Sequence, residues 1–469
     1  PKEATQKAKD IVRMSVARTG FLEPLQEFEL PVDKRALVVG GGLAGMTSAL
    51  SLAEQGFEVY LLEKDKELGG MARKIYYTLE GLDVQAYLGD LIRRVYQHPS
   101  IHVSTDARIL EAFGYVGNFT TRVTSGGMVK EIHHGITIIA TGAEEYKPTE
   151  YLYGEDDRVL TLLELEEQIA KREKRMMNAR SLVMIQCVGC RNEDRNYCSR
   201  VCCSQAIKNA LKLKDMSPEM DITILFRDMR TYGFKEDYYR EAAEQDIKFI
   251  RYEPDDKPQV EAAEGGEGKP VLRITVTDPI LGRKLALDAD LVALAAAVVP
   301  SQTHNEISKF FKLSLNPDGF FQEAHVKLRP VDFAADGVFL CGTAHYPKHI
   351  TETVSQAYGA AGRAATILTK DAVVASGAVC AVKESDCVSC GACISLCSYG
   401  AIEFVDTPQG KRARVNPVLC KGCGLCNTRC PTGAISLKHF TDEEILSEVD
   451  AEVPEEQIPQ QMDVAVGDR

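Results

Sequence analysis

The stretch Arg35-Ala-Leu-Val-Val-Gly40-Gly41-Gly42-Leu43-Ala44-Gly45-Met-Thr-Ser-Ala-Leu-Ser-Leu-Ala53, continued by Glu58-Val-Tyr-Leu-Leu62-Glu63, decides the fold. The unbroken apolar run before Gly40 reads as a strand buried on both faces, which is the habit of parallel sheets. The residues after Gly42 read as a helix, and the second apolar run closes a βαβ unit. Gly40 permits the tight turn, Gly42 lets backbone approach a pyrophosphate, and Gly45 lets helix and strand pack closely. The helix start at Leu43 and Ala44 offers a diphosphate unpaired N–H groups and a positive dipole end. Glu63 lies 23 residues after Gly40, near the roughly 20 expected of an acid that binds a ribose hydroxyl. These residues leave open whether the dinucleotide carries flavin or nicotinamide.

Around this unit the chain runs to 469 residues, with 45% hydrophobic and 26% charged side chains, enough for two or three domains with sizeable cores. A net charge of −13 argues against a nucleic-acid partner, whose phosphates demand a basic face. The longest apolar run, Leu291–Val299, is far short of the ~20 residues of a membrane span and reads as a buried strand leaving at Pro300. The first residues are charged and carry no signal-peptide core, so a cytoplasmic location is expected. Pro1 in place of a methionine suggests that residues were removed upstream. Fifteen cysteines in such a compartment point to metal or redox chemistry rather than disulfides.

Eight of the cysteines form the run Cys387-x-x-Cys390-x-x-Cys393-x-x-x-Cys397, repeated as Cys420-x-x-Cys423-x-x-Cys426-x-x-x-Cys430-Pro431. This is the two-cluster bacterial ferredoxin spacing, in which the fourth cysteine of each run serves the other cluster. Cys387, Cys390, Cys393 and Cys430 then form one set, and Cys420, Cys423, Cys426 and Cys397 the other. The repeat extends past the ligands, with Tyr-Gly400-Ala-Ile-Glu-Phe paralleling Thr-Gly433-Ala-Ile-Ser-Leu, each a turn and a strand. Zinc or purely structural cysteines are the plain alternative. Cys341 and Cys380 stand apart and read as small buried apolar residues.

Five more cysteines follow the apolar strand Ser181–Gln186: Cys187-Val-Gly-Cys190, then Tyr197-Cys198-Ser-Arg-Val-Cys202-Cys203 opening a helix that includes Lys208. Four thiolates satisfy one [4Fe–4S] cubane, so one cysteine is spare. A zinc site or a vicinal Cys202–Cys203 disulfide are the competing readings, and a surface position is the plain one for Lys208.

Two resemblances sharpen these readings. The continuation Glu63-Lys64-Asp-Lys-Glu-Leu-Gly69-Gly70-Met71-Ala-Arg73 resembles the extended motif of two-dinucleotide flavoproteins. Gly135-Ile-Thr-Ile-Ile-Ala-Thr141-Gly142 resembles that family's strand ending in Thr-Gly, and Asp336-Gly-Val-Phe-Leu-Cys341-Gly342 resembles its final strand beside the flavin. Thr343 stands where the family usually has an acid. A helix start with Lys348 and Thr351 follows, which the resemblance aims at the isoalloxazine. The dinucleotide it implies is FAD. A second glycine fingerprint, expected for NADPH, is replaced by the cysteines after Gln186.

The order of FAD fingerprint, Cys-Cys cluster and two-cluster module resembles the A-subunit family of heterodisulfide reductases over nearly the whole chain, in a compact version without the extra N-terminal domain of larger members. By that likeness Cys187, Cys198, Cys202 and Cys203 hold the third cluster, Cys190 replaces a typical serine, and Lys208 approaches flavin N5. Tyr232–Tyr239 also resembles a family element. The implied fold class is α/β: a two-dinucleotide-binding flavoprotein (thioredoxin-reductase-like) fold with a C-terminal α+β two-cluster ferredoxin domain. The expected division is 1–33 a helical arm, 34–150 and 291–371 the FAD-binding domain, 151–290 an inserted domain with an iron–sulfur cluster, 372–440 the ferredoxin domain, and 441–469 an acidic tail. Glu261–Lys269 reads as an exposed loop.

The likeness implies an electron-transfer subunit with FAD and three [4Fe–4S] clusters, engaged in flavin-based bifurcation or relay between a two-electron donor, ferredoxin and a disulfide-type acceptor. Its implied partners are heterodisulfide reductase B- and C-like subunits, a hydrogenase or formate dehydrogenase linker, and ferredoxin, around a homodimeric core. The rival readings are a self-sufficient NAD(P)H-dependent iron–sulfur flavoprotein oxidoreductase, similar to the small subunit of glutamate synthase, a quinone-linked relative, and a redox-sensing or scaffold protein with structural clusters.

Overall fold

The computed structural model describes residues 2–25, 27–265, 270–375, 377–408 and 410–452. The chain divides into two compact units, one of residues 32–371 and one joining the N-terminal 31 residues to those from 372 onward.

The larger unit holds two five-stranded parallel sheets. The first runs in the order Val338–Leu340, Ile136–Ile139, Ala36–Val39, Val59–Leu62, Ile101–Ser104. All four residues of Ala36–Val39 and of Ile136–Ile139 are buried, as strands covered on both faces must be. The helix Leu43–Ala53 carries no charged residue and is buried on nearly every side, because it lies between this sheet and the helix Ile350–Leu368. Small residues on both, Ala49 and Ala53 against Ala357, Ala360 and Ala364, let the helices approach closely. Ser48 Oγ donates to Ala357 O at 3.1 Å across that contact.

The second sheet runs Val159–Thr161, Leu291–Ala296, Ser181–Val188, Asp221–Phe226, Lys248–Arg251. A short antiparallel ribbon, Ala143–Glu145 with Val298–Pro300, brackets its insertion, so Pro300 ends a second short strand rather than the exit of a single long one. Three-stranded antiparallel sheets, 107–134 and 259–289, flank the two parallel sheets. Glu261–Glu264 is thus paired strand and not loop, held by its ladder to the strand Pro270–Asp278 opposite; residues 266–269 lie outside the described ones.

In the smaller unit, Cys380–Val382 pairs with Ile435–Leu437 and Ile402–Thr407 with Gly410–Val415, the strands of a pseudo-twofold ferredoxin module. Phe28–Pro31 pairs with Ala372–Ala375. The helix Lys2–Thr19 buries none of its residues fully and lies along the helix Asp442–Glu452, where Arg18 bonds Glu448 at 3.2 Å and stacks over Phe440. The tail beyond Glu452 lies outside the described residues. Among the described residues no helix is long and apolar enough to cross a membrane.

Candidate functional site

A cleft of about 950 Å3 opens at the C-terminal ends of the first sheet's strands, within the roughly 300–1,000 Å3 usual for cofactor pockets. The segments that follow four of the strands bring the expected residues to the wall: Gly40, Gly42, Leu43 and Ala44, then Glu63 and Lys64, Gly70 and Met71, Thr141 and Gly142, and finally Thr343, Lys348 and Thr351. Gly45 and Gly342 stand behind the wall instead. A Cβ on Gly45 would lie 1.8 Å from Gly40 O, and one on Gly342 would lie 2.7 Å from Ala44 Cβ. Glu63 is buried, its carboxylate accepting from Gly41 N at 2.6 Å and Asp65 N at 2.9 Å.

This lining fits a dinucleotide. No side chain caps the start of the helix Leu43–Ala53, so its first N–H groups are left for an anion. The Cβ position of Gly42 is open space. Thr141 Oγ1 and Ser204 Oγ are buried in the cleft wall without a protein partner, a cost that a bound polar group relieves.

Lys208 and Lys348 line one end of the cleft, and Arg200 lies beside it. Lys208 donates to Tyr77 O at 2.6 Å and to Glu166 at 2.9 Å. Glu166, fully buried, also accepts from Tyr76 N at 2.7 Å. Thr161 and Glu164 form a capping box that starts the helix carrying Glu166, an N-cap arrangement worth about 1 kcal/mol. Burial pulls the Lys208 ammonium below its ordinary pKa, although Glu166 opposes the shift. Lys348 donates to Gly342 O and lies 3.9 Å from the Tyr346 ring centroid. Burial lowers its pKa to about 7. Arg200 donates to Pro347 O at 3.2 Å, to Glu352 at 2.9 Å and to Tyr232 Oη at 2.7 Å.

Arg200 belongs to the loop that gathers the middle cysteines. The strand Ser181–Val188 ends with Cys187 at φ +61° and Gly189 at φ +78°, and a Cβ on Gly189 would strike the Tyr146 ring. Cys202 and Cys203 form the first turn of the helix Cys202–Met216. Burial pushes the thiol of Cys202 well up, and the neighbouring Cys203, Cys187 and Cys198 act in the same direction. Cys190 adjoins Cys187 and Ser199. Donors aim at the sulfurs: Arg200 N lies 3.3 Å from Cys198 Sγ and Arg191 Nη1 3.8 Å from Cys187 Sγ. The same helix sends Ser204, Gln205 and Lys208 into the cleft wall.

In the ferredoxin module a small cavity is lined by Cys387, Cys390, Cys393 and Cys430, three cysteines of one run and the last of the other. On the other side Ala401 N lies 3.3 Å from Cys397 Sγ and Cys380 N 3.4 Å from Cys420 Sγ. Among the described residues no three Cys, His, Asp or Glu side chains draw together as tightly as a single bound ion requires.

The chain is 35% identical to the A subunit of the H2:CoB–CoM heterodisulfide,ferredoxin reductase of Methanothermobacter thermautotrophicus, over 97% of this chain and 82% of that one. It is 34% identical to the second iron–sulfur A subunit of the CoB–CoM heterodisulfide reductase of Methanopyrus kandleri, over 87% and 75%. The chain belongs to the A-subunit family of heterodisulfide reductases. Within it, residues 386–434 match the 4Fe-4S dicluster domain and residues 38–95 the NAD(P)-binding Rossmann-like domain. The fold of this heterodisulfide reductase relative resembles a thioredoxin reductase from Lactococcus lactis, with a TM-score of 0.50 and 18% identity over 71% of this chain and 99% of that one. The chain is therefore an oxidoreductase with a 4Fe-4S dicluster domain and a dinucleotide-binding fold of the flavoprotein kind.

Sequence reasoning missed Glu166, Arg200 and the surroundings of Cys380. Glu166 reads as one of several surface acids in Leu162–Ala170, and nothing local announces that it is buried. Arg200 lies inside the cysteine motif but carries no signal of its reach to Glu352. Cys341 is buried against Ser48, as a small apolar residue would be. Cys380 is also buried, yet it lies against cluster cysteines.

Proposed function

We propose that this chain is the FAD- and [4Fe–4S]-bearing electron-transfer subunit of a heterodisulfide-reductase-like complex, holding one FAD and three cubanes. The observation that carries the reading is that one helix, Cys202–Met216, begins with two cluster cysteines and then lends Ser204, Gln205 and Lys208 to the flavin cleft. When bound, a flavin exchanges electrons in pairs or singly and each cluster exchanges one. The chain's own residues set the terms of that exchange. Gly40, Gly42 and the start of the helix Leu43–Ala53 receive the pyrophosphate, and Glu63 the ribose. Lys208 at the other end and Arg200 beside it supply positive charge, and Lys348, whose pKa lies at about 7, takes up a proton there as negative charge develops, which together favour the reduced, more negative forms of nearby groups. Cys187, Cys198, Cys202 and Cys203 hold one cluster beside the cleft, and the two ferredoxin sets hold the others.

By likeness to relatives whose names include heterodisulfide and ferredoxin, the acceptors are a disulfide and a ferredoxin, the partners are the B- and C-like subunits with a hydrogenase or formate dehydrogenase linker, and bifurcation divides the pair between them. A self-sufficient NAD(P)H reductase is less supported, since the strand end that would carry a second glycine loop carries Cys187 and Cys190 instead. The test is anaerobic iron, sulfide and flavin quantitation with EPR during stepwise reduction. About one FAD and about twelve irons reduced in sequence are expected; about eight irons, with zinc or nothing at Cys187–Cys203, would overturn the flavin-to-cluster connection.

A further inference from the structure

Cys380 is the one cysteine of the smaller unit outside the two ferredoxin runs. It is 3% exposed on the strand Cys380–Val382. Its Sγ lies 3.4 Å from Cys426 Sγ, and its backbone N–H points at Cys420 Sγ, 3.4 Å from N to sulfur. Cys420 and Cys426 both belong to the set completed by Cys423 and Cys397.

The internal repeat supplies an independent comparison. Cys380 stands seven residues before Cys387, and Ala413 stands seven before Cys420. Ala413 is buried too, on the strand Gly410–Val415, and lines the cavity shared by Cys387, Cys390, Cys393 and Cys430. The two cluster sites are thus built alike, each with one strand residue seven positions ahead of a run facing the other run's set. One site has a methyl group there and the other a thiol.

We propose that Cys380 is a positioning residue whose S–H donates to the Cys426 thiolate, beside its backbone N–H directed at Cys420 Sγ, and raises the reduction potential of that cluster above the value its methyl-flanked counterpart would give. The reason is electrostatic. Reduction adds negative charge to the cluster and its thiolates, and a donor aimed at them stabilises the reduced form more than the oxidised one. A thiol is a weak donor, but it is buried here, where a hydrogen bond is stronger than in water. The proposal rests on the two-cluster reading given above. It makes the two ferredoxin clusters unequal, an asymmetry that gives electrons a preferred direction through the module.

The test is redox titration of the full chain by EPR, with iron counted on the same samples. In Cys380→Ala one of the two ferredoxin midpoint potentials should move negative with iron unchanged, and in Cys380→Ser it should stay nearer to the parent value, because a hydroxyl still donates. In Ala413→Cys the other cluster's potential should move positive; this variant also decides the matter if Cys380→Ala does not fold. Potentials unmoved in loaded variants would overturn the proposal alone. Loss of about four irons in Cys380→Ala would overturn it as well, by making Cys380 a ligand. A parent chain lacking the irons of this module would overturn the electron-transfer reading first, and this inference with it.

Discussion

Lys208, in the wall of the cleft, and Glu166 behind it form a buried ion pair at 2.9 Å, with side chains 9% and 0% exposed. The lysine comes from the helix that begins with Cys202 and Cys203, and the acid from the capped helix Leu162–Ala170. The pair joins the cysteine loop to the cleft. Removing one partner of a buried pair strands the other charge, at a cost of about 3–5 kcal/mol, whereas an apolar replacement of both can be close to neutral. Glu166→Leu should therefore lower the denaturant midpoint of unfolding sharply, and adding Lys208→Met should restore most of the loss. Equal loss in single and double variants would show that the pair does not act together.

Lys348 gives a pH dependence with a definite sign. In the folded, flavin-free chain its pKa falls from the ordinary 10.5 to about 7, mainly through burial. Between those values the unfolded chain binds more protons, so stability rises with pH across that window. Below about 7 the full cost of a buried charge is present. Lys348→Met should stabilise the flavin-free protein by a few kcal/mol (on the order of 1.4 for each tenfold change in proton affinity) at pH 6. The advantage should shrink above pH 7 and be gone near pH 10.5. Thermal unfolding of both proteins across that range checks it.

Two glycines three residues apart should fail in different ways. Gly42 has nothing within 4 Å of its Cβ position, whereas a Cβ on Gly45 would lie 1.8 Å from Gly40 O. Gly42→Leu should fold with a near-normal melting temperature but purify without flavin. Gly45→Val should lose the fold, at a cost above the about 1–3 kcal/mol typical of overpacking. Flavin absorbance and circular dichroism on the two variants separate these outcomes.

Cys187, next to the end of its strand, sits at φ +61°, a left-handed conformation costly for a side chain other than glycine. Cys187→Ser should lose about four of about twelve irons and keep those of the ferredoxin module, since the two sites belong to separate compact units. Cys190→Ser should keep all of them. Iron counts on the anaerobically purified variants decide which four of the five cysteines are ligands.

The sequence by itself determined the parts whose physics is local. A dinucleotide loop needs small residues at fixed offsets because backbone must turn and approach a phosphate, so Gly40, Gly42 and Gly45 announce it. A cubane needs thiolates at loop spacing, so Cys387–Cys397 and Cys420–Cys430 announce the module and its repeat. The parallel strands were legible for the same reason, being short apolar runs between turns. The strand Gln259–Glu264 was not, because a solvent-facing edge rich in Glu and Ala lacks an apolar signature and is fixed only by its neighbour. Tertiary structure alone decided that Glu166 meets Lys208 and that Arg200 reaches Glu352 across 152 residues. It also decided that Cys380 touches Cys426 while Ala413 faces the other set. Such contacts join side chains from elements far apart in sequence, and the burial that gives them their strength exists only once those elements have packed.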